Sequence, residues 1–339
     1  MKVLLNNHTP FMFAHGGAQI QIEQTQMALQ KSGVEVEPLR WWDDTQTGDI
    51  LHHFPRIPTT LLQLAQRKGM KVVMSELMTE QGSRSKVRLL FQKLVTRTGL
   101  FLLPQVILSY FSWDSYRLAD ACIALTPWEA HLMRYIFRAP SHKVHVIPNG
   151  VEEVFLRSPR AKRDRWLVCT AIITERKRVL ELAEAALSAK TPIWIIGKPY
   201  SDSDPYFGRF ITLAKEHPEM IRYEGPISDR QRLAQVYREA RGFVLLSKWE
   251  SLSLSALEAA ACECPLLLSE LPWAQSHFGG SASYCPPNGS LSATAACLRA
   301  FYDSAPVLQP PPTPASWSEI GLRLKKLYEQ LLAPPVRLR

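Results

Sequence analysis

Ser247-Lys-Trp-Glu-Ser-Leu-Ser-Leu-Ser-Ala-Leu-Glu-Ala-Ala-Ala-Cys-Glu-Cys-Pro-Leu-Leu-Leu-Ser-Glu270 is the stretch whose reading decides the fold. Just before it, Arg241-Gly-Phe-Val-Leu-Leu246 is a short apolar run of the kind that makes a buried strand. Ser247 to Ser251 is polar and turn-like, and Leu252 to Cys264 is built of strong helix formers. Pro265 stops that helix, and Leu266 to Leu268 reads as the next strand. Strand, loop, helix and strand in succession predict one βαβ unit.

Two carboxylates lie in this unit. Glu250 and Glu258 are eight residues apart, a little over two turns at about 3.6 residues per turn, which predicts nearly the same helix face for both. Between them the helix start offers backbone N–H groups from Ser251, Leu252 and Ser253, and such groups bind phosphate. A phosphate site with a carboxylate at either end suits a ligand with phosphate in the middle and hydroxyls at both ends, the layout of a nucleotide sugar. Taken alone, two glutamates at this spacing are more simply an exposed loop residue and a solvated helix residue. Against that, Glu258 stands among Ala256, Leu257, Ala259, Ala260 and Ala261. A helix so apolar predicts a partly buried carboxylate, which needs partners.

The remaining composition sets the frame. A chain of 339 residues, 46% hydrophobic and 21% charged, has room for two ordinary globular cores. Six cysteines without CxxC spacing predict reduced thiols and no metal framework. Met1-Lys-Val-Leu-Leu-Asn6 reads as a strand rather than a signal peptide. The apolar run from Gly99 to Ser109 is too short to span a membrane and holds Pro104. A net charge of +9 favours an anionic partner, whether nucleotide, lipid head group or nucleic acid.

Along the chain, strands are expected at Lys2–Asn6, Val34–Leu39, Asp49–Phe54, Lys71–Ser75, Ala121–Leu125 and Val144–Pro148. Helices are expected at Ile20–Lys31, Thr59–Lys68, Arg84–Arg97 and Pro127–Phe137. Near Asn149 the alternation restarts, with strands at Trp166–Ile173, Pro192–Ile196 and Ile221–Tyr223. Helices there fall at Val179–Ser188, Pro205–His217 and Asp229–Ala240, and Thr174–Arg178 is a basic loop. Repeated β–α alternation in two halves predicts two Rossmann-like, doubly wound parallel sheets. Pro306–Ala315 reads as a linker and Ser316–Leu332 as a last amphipathic helix.

These features resemble the GT-B glycosyltransferases, family 4 of the retaining class. His15-Gly-Gly-Ala-Gln19 looks like that family's N-terminal glycine loop, and Asp49-Ile-Leu-His-His53 like its "DVVH" strand. Ala119-Asp-Ala-Cys-Ile-Ala-Leu-Thr126 looks like "ADAVIAVS", and Val146-Ile-Pro-Asn-Gly-Val151 with Phe155 like the domain junction. Thr174-Glu-Arg-Lys177 resembles the donor-phosphate loop, Glu250-x7-Glu258 the EX7E hallmark, and Ser316-Trp-Ser-Glu319 the helix crossing back to the N-terminal domain.

The resemblance implies an α/β GT-B fold whose two Rossmann-like domains face across a cleft. The acceptor-side domain would be 1–150, the nucleotide-sugar domain 151–315, and the crossover helix and tail 316–339. It implies that Glu258 binds the ribose and that Glu250, a catalytic residue, binds hydroxyls of the transferred sugar. Lys177, catalytic as well, would neutralise the diphosphate with Arg176 or Arg178. N–H groups around Ser251 and Leu252 would add to the phosphate site, and Gly16 and Gly17 would line the cleft. The nucleotide-diphosphate sugar is then a substrate, with no cofactor and no metal, and the reaction passes the sugar to a hydroxyl of a saccharide or lipid-linked acceptor in cell-surface glycan synthesis.

The chain departs from the family in places. The usual Gly-Arg before the basic loop is replaced by Thr170-Ala171, and Glu76 stands where the family tends to place a cleft histidine, which makes Glu76 a candidate sugar contact. Cys262-Glu-Cys-Pro265, in place of Gly-Thr-Pro, reads as structural. The alternating His52 and His53 put at most one ring toward a ligand, and Trp41-Trp42 reads as a buried loop pair rather than an acceptor cap. From Arg84 to Arg97 five cations interleave with apolar residues and no acid. That pattern fits either a helix packed on its domain with a solvated basic face or one lying on an anionic membrane, which would place a cytoplasmic enzyme at the inner membrane face. Two other readings fit the same sequence: a sugar-nucleotide epimerase of GT-B fold, and a catalytically inactive GT-B module that binds nucleotide or, less well supported, nucleic acid.

Overall fold

The computed structural model describes residues 1–8, 11, 16–156 and 161–334. The chain divides into two compact units, one formed by Met1–Asn149 with the stretch from Trp317 on, the other by Gly150–Ser316.

The first unit runs β1 (Lys2–Asn7), α1 (Gly17–Lys31), β2 (Glu35–Pro38), β3 (Ile50–Phe54), α2 (Thr59–Arg67) and β4 (Lys71–Ser75). It continues through α3 (Thr79–Gly82), α4 (Lys86–Leu102), α5 (Gln105–Phe111), α6 (Ser115–Leu118), β5 (Ala121–Ala124), α7 (Pro127–Phe137) and β6 (Val144–Val146). The sheet is parallel, in the order β2-β1-β3-β4-β5-β6. Helices alternate with the strands, and the central strands are buried along most of their length. All of Ile50–Phe54 is buried, and neither the His52 nor the His53 ring reaches solvent, within the limit of at most one that the alternation sets. His52 bonds Tyr328 Oη and Ser75 Oγ at 2.7 Å each, and His53 sits 3.1 Å from both Asn6 Nδ2 and His8 Nε2. Burial pushes both imidazoles down to about 3. Trp41 and Trp42 are the reverse case, 77% and 83% exposed where a buried pair was expected.

The second unit runs α8 (Glu153–Leu156), β7 (Leu167–Thr170), α9 (Val179–Ala189), β8 (Ile193–Ile196), α10 (Pro205–Glu216), β9 (Ile221–Tyr223) and α11 (Arg230–Glu239). It ends with β10 (Gly242–Leu245), α12 (Leu254–Ala261), β11 (Leu266–Ser269), α13 (Pro272–Phe278), β12 (Ser283–Cys285) and α14 (Leu291–Ser304). Its parallel order is β12-β11-β10-β7-β8-β9. The winding therefore reverses between β7 and β10, and in an open α/β sheet the carboxyl ends of the strands at such a switch point are where ligands bind. The last three elements fall where the sequence reading assigns none. Both expected prolines at the first helical turn are present, with Thr126 capping α7 and Asp204 capping α10.

Val151 and Ser316 form an isolated parallel bridge, after which α15 (Trp317–Leu332) returns to the first unit and packs on α1. Gly321 permits that packing, because a Cβ there would come within 2.7 Å of the Ala28 carbonyl oxygen. Lys325 Nζ donates to Ser32 O at 2.9 Å at the end of α1.

Candidate functional site

The switch point of the second unit is built by two loops, Ala171–Arg178 after β7 and Leu246–Ser253 after β10. The first closes as a turn, with the backbone N–H of Lys177 donating to Thr174 O at 3.0 Å and that of Arg178 at 3.1 Å. Arg178 itself adopts a left-handed conformation, φ 54°, where the turn passes into α9. Gly197, at the end of β8, lets the loop lie close: a Cβ there would stand 1.9 Å from Ala171 O. The two loops are tied by the Lys248 N–H, which donates to Arg176 O at 2.8 Å.

The side chains converge on Glu250. Lys177 Nζ and Glu250 Oε2 form a close ion pair, both side chains nearly buried. Arg176 Nη1 lies 3.5 Å from the same oxygen and donates to Trp249 O at 3.2 Å. Ser247 Oγ is 3.4 Å from Glu250 Oε2. Arg178, which the sequence offered as another phosphate ligand, instead donates to Pro287 O. Two cations thus face one carboxylate, which leaves a net positive charge at the carboxyl ends of β7 and β10. Buried or half-buried charges of this kind are weakly screened and attract an anion strongly.

Helix α12 starts at Leu254, capped by Ser253, two residues later than the sequence predicts. Ser251 and Leu252 therefore precede the cap, and Glu250 is not helical, so the argument that it shares a helix face with Glu258 does not hold. Tertiary contacts place the two glutamates instead: Glu250 among the cations of the β7 loop, Glu258 inside the unit.

Glu258 is buried and has the partners its apolar helix predicts it needs. Arg230, at the start of α11, ion-pairs with its Oε1, and Tyr237 Oη lies 3.4 Å from Oε2. Arg230 also reaches Glu152 Oε1 at 2.8 Å and stacks over the Phe155 ring at 4.7 Å. Burial raises the Glu258 carboxyl above the ordinary carboxylate range, against the pull of Arg230. Sequence reasoning missed Arg230 and Tyr237. Arg230 lies 28 residues from Glu258 with no motif joining them.

The remaining candidates lie in the first unit. Gly16 precedes α1 at φ 139°, and Gly17 is the first residue of that helix. His15 and most of the loop before it fall outside the described residues. Glu76 follows β4 and is buried, with Tyr116 Oη donating to its Oε2 at 2.6 Å and Arg56 Nε at 3.2 Å. All six cysteines are free thiols. Burial pushes Cys262 and Cys264 up to about 12, which suits a structural part.

Residues 164–303 match the family model described as glycosyl transferases group 1. D-inositol 3-phosphate glycosyltransferase of Nocardiopsis dassonvillei is 32% identical over 178 residues, 46% of this chain and 41% of that protein. Alpha-galactosylglucosyldiacylglycerol synthase of Streptococcus pneumoniae is 28% identical over 148 residues, 39% of each chain. The chain thus matches about two fifths of the length of these curated relatives. Sucrose-phosphate synthase of Thermosynechococcus elongatus superposes with a TM-score of 0.65 at 18% identity, over 97% of this chain and 98% of that one. Anabaena HepE, solved with UDP-glucose, gives 0.63 at 12% identity over 97% and 100%. At such identities the likeness to the solved structures is one of fold, and it extends over both units. The chain has the GT-B fold, and over residues 164–303 its sequence matches the glycosyl transferases group 1 family.

Proposed function

We propose that the protein is a retaining glycosyltransferase that moves a sugar from a nucleotide-diphosphate sugar to a hydroxyl of a saccharide or lipid-linked acceptor. The observation that carries this reading is the Lys177–Arg176–Glu250 cluster at the β7/β10 switch point, with its net positive charge. In the reaction the acceptor oxygen bonds to the anomeric carbon while the bond from that carbon to the β-phosphate oxygen breaks. The bonding pair leaves on the diphosphate, and the hydroxyl proton passes to a phosphate oxygen or to solvent. Lys177 and Arg176 would meet the diphosphate and stabilise the charge that builds there, as fixed donors do most effectively in a dry site. Glu250, freed from its ion pair by the incoming anion, would accept hydrogen bonds from hydroxyls of the sugar.

Glu258 would take the ribose hydroxyls through Oε2, the oxygen that Arg230 does not hold. No metal or cofactor enters this scheme. The basic, apolar helix α4 favours a lipid-linked acceptor, met by a cytoplasmic enzyme at the inner membrane face.

Release of nucleoside diphosphate from a panel of nucleotide sugars tests the proposal. The UDP-sugars come first because HepE was solved with UDP-glucose; candidate glycolipid and inositol phosphate acceptors are added in turn. One donor should be consumed only with acceptor present, and Glu250→Gln should lower the rate about a hundredfold or more, the scale on which removing one electrostatic partner of a transition state acts. Acceptor-free conversion of the donor, or an unchanged rate in Glu250→Gln, would overturn it.

A further inference from the structure

The longest helix of the first unit is turned the opposite way from the one expected of a helix packed on its domain. In α4 the residues Val87, Leu90, Phe91, Leu94, Val95, Thr98 and Phe101 recur at the three- and four-residue spacing of a single helix stripe, and all of them are exposed. The inward side is mixed. It buries Leu89, Thr96 and Gly99, while Lys93 lies over the Tyr135 ring at 4.1 Å and Arg97 donates to Tyr135 O at 2.9 Å. Two of the helix's cations are thus spent on anchoring it to α7, and its apolar side is left outward.

Helix α5 extends the same surface. Val106 and Tyr110 are exposed, Tyr110 by 84%, and Phe111 stacks on Trp113 with ring centroids 4.8 Å apart. Trp113 lies against the bare backbone of Gly99, where a Cβ would meet its ring at 2.6 Å. Trp113 thus fills the buried flank of α4 at Gly99, and Phe111 stacked on it sets the aromatic end of α5 beside the end of α4. Exposed large apolar residues are ordinary when scattered; contiguous on two helices they mark a binding surface.

Charge selects the occupant. No acidic residue occurs between Glu80 and Asp114, while Arg84, Lys86, Arg88, Lys93 and Arg97 do. Lys86 and Arg88 are exposed beside the apolar stripe, at the start of α4. A partner with a neutral or basic surface gains nothing from them. An anionic bilayer offers hydrocarbon for the stripe and head groups for the cations, the pairing that holds an interfacial helix.

We infer that the outward face of α4 and α5 docks the protein on anionic lipid bilayers, with the side chains of Phe91, Phe101 and Tyr110 entering the head-group boundary. This deepens the proposed function, since it rests on the reading that the acceptor is lipid-linked, but the docking is measured without any sugar transfer.

The test is co-sedimentation of the full chain with vesicles of phosphatidylglycerol and phosphatidylcholine mixed, against pure phosphatidylcholine, at low and high salt. Binding should require the anionic lipid and weaken with salt. Lys86→Gln with Arg88→Gln should cut partitioning about thirtyfold, the effect of removing two surface cations worth roughly 1 kcal/mol apiece. Phe101→Ser with Tyr110→Ser should cut it at both salt concentrations. All four side chains are exposed, and each double variant should unfold at the wild-type temperature, so lost binding is not lost folding. Equal binding to both vesicle types, or none at millimolar lipid, would overturn the inference. So would a dimer in gel filtration that Phe101→Ser with Tyr110→Ser splits into monomers, which would make a second copy the occupant. A nucleoside diphosphate thermal shift on the same samples reports the donor site separately, so the failure of either idea is recognised on its own.

Discussion

Replacing Arg230 by Met tests how Glu258 is held. The substitution keeps an unbranched stem against Phe155 and removes both the ion pair with Glu258 and the contact with Glu152. Breaking a fully buried ion pair costs about 3–5 kcal/mol, and an exposed one at most about 1 kcal/mol. Glu258 is 8% exposed and Arg230 31%, which discounts the buried figure to about 2–3 kcal/mol. For a unit of this size each kcal/mol moves the melting midpoint by about 2–4 °C, so the expected drop at pH 8 is roughly 4–12 °C.

The loss should also depend on pH. Burial already raises the Glu258 carboxyl, with Arg230 opposing, so removing Arg230 raises it further. A carboxyl with a raised folded value gives stability that is full below its unfolded value and is lost as pH rises through the folded value. The difference between variant and wild type should therefore be largest at pH 8 and shrink toward pH 5. Urea unfolding of both proteins at the two pH values measures this. A loss below about 0.5 kcal/mol, the usual size of a surface substitution, or a loss equal at both pH values, would refute the reasoning.

Two more perturbations act on features described above. His52 and His53 are held neutral, down to about 3, against an unfolded value near 6.5, so the unfolded state binds more protons between those values and stability falls as pH drops through that window. At pH 5 the loss relative to pH 8 should be roughly 2 kcal/mol per histidine, read as a falling urea midpoint that His53→Asn partly relieves; a midpoint flat from pH 8 to 5 would contradict it. Gly197→Ala puts a Cβ 1.9 Å from Ala171 O at φ 151° and should cost at least about 3 kcal/mol or prevent folding. An alanine variant within about 1 kcal/mol of wild type would show that the Ala171–Arg178 loop does not depend on that close approach.

The β–α alternation was legible because parallel strands buried on both faces are written as apolar runs, and because Pro127, Asp204 and Pro205 mark helix starts at positions the structure keeps. The segment α13, β12 and α14 was not legible. Ser283–Cys285 is three residues long, and α14 mixes Ser, Thr and Ala with few large apolar residues, so neither carries a clear period. Trp41 and Trp42 were misread because aromatic bulk favours burial on average, and at these positions the loop turns both outward. For α4 the period was readable, but period alone cannot say which side of a helix faces the sheet. The answer came from Lys93 and Arg97, whose partner Tyr135 is on another helix. At the site, the apolar run around Glu258 announced a buried carboxylate, while its partner Arg230 belongs to a helix that only the fold brings near. Glu250 falls in the loop that the turn-like Ser247–Ser251 stretch predicts, but its neighbour Lys177 comes from the other loop, which no spacing along the chain announces.

The central claim is that the second unit binds a nucleoside diphosphate at the β7/β10 switch point with Glu258 on the ribose. Thermal unfolding with UDP, GDP, ADP, CMP and NAD, without metal, tests it most directly. A ligand at about a hundred times its dissociation constant adds roughly 2.7 kcal/mol, or about 5–11 °C here. The account predicts such a shift from one nucleoside diphosphate, lost in Glu258→Gln. No shift from any nucleotide at millimolar concentration, or a full shift in Glu258→Gln, would contradict it.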